Sequence, residues 1–131
     1  MSEKIKNKRV IIVDDSHVDR IFLTTCCENL GLEIISVEES AYAALSKIDL
    51  LAQHNNIPDL ILCDIMMVGM DGYALAEEVR ADKRYDGMKL IAVSSDVNAG
   101  LVKKEGDKGF DAFHPKPVAV DSLAELIEKV L

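Results

Sequence analysis

Five polar positions carry most of the chemistry available to this sequence: the adjacent acids Asp14 and Asp15, then Asp64, Ser94 and Lys116. Carboxylates serve as ligands for hard divalent cations or as nucleophiles, a serine hydroxyl donates a hydrogen bond to an anionic oxygen, and a lysine ammonium neutralises negative charge. Singly, each has an ordinary structural role. Adjacent acids end many strands, a lone aspartate caps helices, and Lys-Pro is a common turn. What distinguishes them is their placement, because the acids and Ser94 end apolar runs and Lys116 follows the last strand-like segment.

Those runs define the elements. Val10-Ile11-Ile12-Val13 is continuously apolar, as a strand covered on both faces must be, and it ends at Asp14-Asp15. Val18, Ile21, Phe22, Thr25 and Cys26 follow at helical spacing, which predicts a helix with that stripe inward and Gly31 as its stop. A second strand over 32–37 and a second helix with Ala41, Ala44, Leu45, Ile48 and Leu51 on its apolar face come next. Leu60-Ile61-Leu62-Cys63 ends at Asp64 and is followed by a loop with Gly69 and Gly72 and a helix through Leu75, Ala76 and Val79. Leu90-Ile91-Ala92-Val93 ends at Ser94. A weaker helix over 97–108, diluted by Gly100 and Gly106, precedes a strand over 110–113 and the segment His114-Pro115-Lys116-Pro117. Val120, Leu123, Ile127 and Val130 give the last helix. Five βα units of about 26 residues leave only short loops, so right-handed crossovers and a parallel sheet are expected, with ligands beyond the carboxyl ends of the strands.

Composition narrows the function classes. The 131 residues suit one domain with an aliphatic core, since 49% are hydrophobic, 5% aromatic and none is Trp. A net charge of -8 argues against nucleic acid and anionic membranes as direct partners. Lys4, Lys6, Lys8 and Arg9 read as a solvated basic arm, giving a division into an arm over 1–8 and a domain over 9–131. Cys26, Cys27 and Cys63 have neither disulfide nor zinc spacing and read as core residues. His17, His54 and His114 show no ligand spacing. No segment approaches the ~18 consecutive apolar residues of a membrane helix, so a cytoplasmic location is expected.

The ordered set resembles the CheY-like receiver family of response regulators over roughly residues 9–131. The matching motifs are Asp14-Asp15, the stretch Asp64-Ile65-Met66-Met67-Val68-Gly69-Met70-Asp71-Gly72, Ser94, and Lys116-Pro117. The resemblance implies a flavodoxin-like (βα)5 sandwich with strand order 2-1-3-4-5, which gathers the three carboxylates into one pocket. Three acids that close repel, and Mg²⁺, with Mn²⁺ as substitute, relieves the repulsion. Asp15, Asp64 and the Met66 carbonyl are then the expected ligands, with Asp14 acting through water. Asp64 is the implied phosphoacceptor, served by Lys116 and Ser94, and Ser94 with Phe113 forms the implied switch, with plain core packing the alternative reading of Phe113.

The partners so implied are a sensor histidine kinase or histidine phosphotransfer protein, and a target on the face of the fourth helix, fifth strand and fifth helix. No enzymatic role is expected beyond assisting its own phosphorylation and dephosphorylation, and the expected state is a monomer or weak dimer. Two departures stand out. Val68 replaces the proline usual in the family, and Met66 occupies a position where some members carry a polar side chain that helps place the hydrolytic water, which implies slow self-dephosphorylation. The resemblance also implies a cis Lys116-Pro117 bond, at an X-Pro step where cis bonds occur. Competing readings are a phosphorylation-independent interaction module, a haloacid-dehalogenase-type phosphatase, which calls for Asp-x-Asp rather than adjacent acids, and a nucleotide or flavin carrier, for which the glycine motifs are missing. The sequence is compatible both with a stand-alone regulator and with a receiver taken from a longer protein.

Overall fold

The computed structural model describes residues 4–95 and 109–131. Strands β1 (Arg9–Val13), β2 (Glu33–Glu38), β3 (Leu60–Cys63), β4 (Lys89–Ser94) and β5 (Ala112–Pro115) form one sheet in the order β2-β1-β3-β4-β5, with every pairing parallel. Helices α1 (His17–Asn29), α2 (Ala41–Gln53), α3 (Gly72–Ala81) and α4 (Val120–Val130) alternate with the strands, and a 3-10 turn spans Lys83–Tyr85. The expected flavodoxin-like class and strand order are therefore observed. The helix expected over 97–108 lies outside the described residues.

Alternation along the buried strands builds two cores. Ile11, Val13, Ile61 and Cys63 pack with α2, α3 and Phe110 on one face, while Val10, Ile12, Leu60 and Leu62 pack with α1 and α4 on the other. Because both faces are covered, β1, β3 and most of β4 read as unbroken apolar runs. Ser16, Ser40 and Asp71 cap α1, α2 and α3 through side-chain oxygens that accept backbone N–H groups. Gly31, at φ +81°, closes α1, where the Leu32 N–H bonds back to the Cys27 carbonyl.

Three expectations need correction. Most of the stripe assigned to the inner face of the first helix points outward: Val18, Ile21 and Phe22 are 72%, 56% and 45% exposed, and of that stripe only Cys26 is buried, together with Leu23 and Cys27. This helix carries two apolar stripes, and the sheet takes the one offset by a residue. The basic segment is not a free arm. Ile5 is buried in the α1/α4 core, the Lys4 ammonium bonds to the Glu128 carbonyl, and the Arg9 guanidinium holds the carbonyls of Asn56 and Ile57. The fifth strand runs two residues later than expected, because Phe110 turns into the α2/α3 core before the ladder begins.

The three cysteines are buried free thiols. No helix among the described residues is long and apolar enough to cross a membrane.

Candidate functional site

The strand order reverses between β1 and β3, whose following helices lie on opposite faces of the sheet, the arrangement that opens a crevice at the carboxyl ends of parallel strands. Val13 pairs with Cys63, so Asp14-Asp15 and Asp64, the residues that follow, emerge side by side. The Asp64 N–H bonds to the Val13 carbonyl at 2.9 Å and anchors this junction. Carboxylate oxygens of Asp14, Asp15 and Asp64 lie within 4.8 Å of one another. Asp14 is fully buried, Asp64 nearly so, and Asp15 is exposed.

Lys116 enters from the end of β5. Its Nζ lies 2.9 Å from Asp14 Oδ2, 2.8 Å from Asp19 Oδ2 and 3.7 Å from Asp64 Oδ1. The Lys116 N–H bonds to the Ser94 carbonyl at 2.9 Å, and Ser94 is buried where β4 ends beside β3. The Lys116-Pro117 peptide is cis, as expected. All five polar positions singled out in the sequence thus reach one rim of the sheet.

Charge follows from this crowding. Burial, then the neighbouring Asp14 and Asp15, push the Asp64 carboxyl up to about 6, against the opposing pull of Lys116 and a hydrogen bond from the Met66 backbone. Burial also works against the Lys116 charge, but hydrogen bonds to Asp19 and Asp14 outweigh it and hold the ammonium above its ordinary range. The adjacent Cys63 thiol is raised by burial first and then by Asp64, Asp14 and Asp71, which leaves it protonated and no rival nucleophile.

Hard oxygen donors around uncompensated negative charge suit Mg²⁺ or Mn²⁺. Asp14 has both oxygens engaged, Oδ1 by the Ser16 N–H and Oδ2 by Lys116. Asp15 Oδ2 accepts from the Val68 N–H at 3.3 Å, which ties the loop after β3 to the site. In that loop Met66 and Val68 are exposed.

Phe113 is half-buried, with its ring centroid 5.5 Å from that of Phe110, and it borders a groove of about 420 Å³ that also involves Pro115, Ser122, Leu126 and Lys129. His114 has both ring nitrogens engaged: Nδ1 meets the Pro115 carbonyl at 2.7 Å and Nε2 the Ser122 hydroxyl at 3.1 Å. Sequence reasoning missed Asp19. Its only signal was an acid one helical turn beyond Asp15, at a position equally suited to a solvated first-turn charge.

The model of the response regulator receiver domain matches residues 10–128, and the chain belongs to that family, the receiver domains of two-component systems. It is 31% identical to part of the sensor histidine kinase CheAY of Helicobacter pylori, over 98% of this chain but 16% of that protein. It is 26% identical to the two-component response regulator ARR6 of Arabidopsis thaliana, over 93% of this chain and 68% of that one. Among solved structures, a CheY-like receiver domain from Methanospirillum hungatei superposes with a TM-score of 0.75 at 30% identity, covering 94% of this chain and 92% of the other. A Borrelia burgdorferi chain, from a complex of CheX, CheY, BeF3 and Mg, gives 0.80 at 28%, covering 94% and 88%. This chain spans only a small part of the sensor kinases it resembles.

Proposed function

We propose that this receiver accepts a phosphoryl group on Asp64 from a phosphohistidine donor and passes the signal on through the surface around Phe113. The observation that carries the reading is the trio of carboxylates within 4.8 Å of one another, with the Lys116 ammonium 3.7 Å from Asp64. Asp64 Oδ attacks phosphorus, the P–N bond to the donor imidazole breaks, and its electron pair leaves with the nitrogen, which remains as neutral imidazole or takes a proton. Asp15, Asp64 and the Met66 carbonyl would hold Mg²⁺, with Asp14 acting through water, and the ion supplies charge neutralisation to the phosphoryl oxygens.

The chain's own groups complete the alignment. Lys116 offers its ammonium to one phosphoryl oxygen and the Ser94 hydroxyl donates to another. A phosphoryl group that engages Ser94 favours the conformer in which the Phe113 ring turns inward, which remodels the groove beside β5 and α4. A donor that brings its phosphohistidine to this rim finds an apolar surface on α1, where exposed Val18 and Phe22 adjoin Lys116 and Pro117 around a hollow of about 220 Å³. We assign that apolar strip to the phosphotransfer partner.

The test is incubation with acetyl phosphate and Mg²⁺ followed by intact mass, with Asp64→Asn as control. One added phosphoryl group, dependent on Mg²⁺ and absent from D64N, is the expected result, and an unmodified wild-type mass would overturn it. NMR shifts at Phe113 and on the β5/α4 face upon adding beryllofluoride test the switch, and their absence would reject it.

A further inference from the structure

We infer that Asp19 is a positioning residue that takes up part of the Lys116 ammonium's hydrogen bonding at the rim and so limits its competition with the cation for the acidic trio, an inference that rests on the function proposed above. Lys116 and a divalent ion are rivals here. The ammonium lies 2.9 Å from Asp14 and 3.7 Å from Asp64, two members of the acidic trio. Asp19 stands outside that trio but makes the shortest contact of all to Nζ, at 2.8 Å. It therefore offers the ammonium a partner that costs the cation no ligand.

The geometry suits a holding role. Asp19 sits in the first turn of α1, fixed through its own backbone N–H to the Ser16 cap, so its side chain is free to serve Lys116. The ammonium has three donors, and Asp14 and Asp19 engage two, which leaves one for an oxygen on the Asp64 side. Without the Asp19 charge, Lys116 must lean entirely on Asp14 and Asp64, where it competes with the incoming ion.

The experiment measures Mg²⁺ affinity by NMR titration of the whole chain as wild type, Asp19→Asn, Asp19→Glu, Lys116→Met and the double variant Asp19→Asn/Lys116→Met. D19N is expected to weaken Mg²⁺ binding roughly three- to tenfold, the scale of one partly exposed charged contact. D19E should restore it. In the Lys116→Met background the same Asp19→Asn change should alter affinity by less than about twofold, because nothing is left to position. A loss of equal size in both backgrounds would mean that Asp19 acts only through its field, and would overturn the inference. So would unchanged affinity in D19N while the wild type binds Mg²⁺ and is phosphorylated. A wild type that neither binds Mg²⁺ nor accepts a phosphoryl group would overturn the function proposed above and this role with it.

Discussion

A Cβ on Gly72 would stand 2.5 Å from the carbonyl oxygen of Asp64 and 2.8 Å from the Cα of Ile65. The start of α3 is thus pressed against the backbone that presents the Asp64 carboxylate, and the Gly72 N–H bonds to the Ile65 carbonyl at 2.9 Å. Gly72→Ala must push α3 and Asp64 apart. Overpacking against backbone of this kind costs about 1–3 kcal/mol, to be read from the urea midpoint, and Mg²⁺ affinity should fall with it.

The raised Asp64 carboxyl makes stability depend on pH in a definite sense. Unfolded, the group titrates near 3.8; folded, it does so at about 6. In that window the folded chain keeps a proton that the unfolded chain has lost, so this group's contribution to stability declines as pH rises and its cost is complete above about 6. Asp64→Asn removes the cost. The variant should gain on wild type from pH 4 to pH 7, ending more stable by about 1 kcal/mol or more in denaturant titrations at matched pH without Mg²⁺. A gap that stays constant across this range would contradict the assignment.

Met66 presents an exposed thioether two residues after Asp64. A thioether is a poor hydrogen-bond partner and cannot orient an attacking water. The aspartyl phosphate should therefore be long-lived, and Met66→Asn should shorten its half-life several-fold, followed by loss of the phosphorylated mass after the donor is removed. A wild-type half-life of seconds would contradict this.

Exposed Phe22 and Val18 should matter to a protein donor and not to a small one. Phe22→Asp is expected to slow phosphotransfer from a histidine phosphotransfer protein by roughly tenfold, the loss of a central apolar contact, while labelling by acetyl phosphate stays unchanged. Equal slowing with both donors would locate the defect in the pocket.

Much of this architecture is legible in sequence because doubly covered strands leave no polar residue until they end. Asp14, Asp64 and Ser94 mark those ends directly, and the order in which they meet follows from the family resemblance. The orientation of α1 is not legible in the same way. Thirteen residues carry the outward stripe of Val18, Ile21 and Phe22 beside the inward one of Leu23, Cys26 and Cys27. Helical periodicity accepts both, and only contact with the sheet and α4 chooses. Asp19 escaped notice for a related reason, since its partner Lys116 lies 97 positions away and no local pattern links them. Ile5 was hidden by the lysines around it, whose charges masked a side chain that the α1/α4 core encloses.

The ion pair between Asp14 and Lys116 closes a separation of 102 residues. During synthesis the first of these side chains leaves the ribosome long before the second exists, and the intervening strands must dock in between. An unfinished or partly unfolded chain therefore presents acids without their counter-ion, and the assembled rim arises only after β5 has joined the sheet. The assembled rim is in this sense a certificate of a finished chain, issued by the last strand to be made.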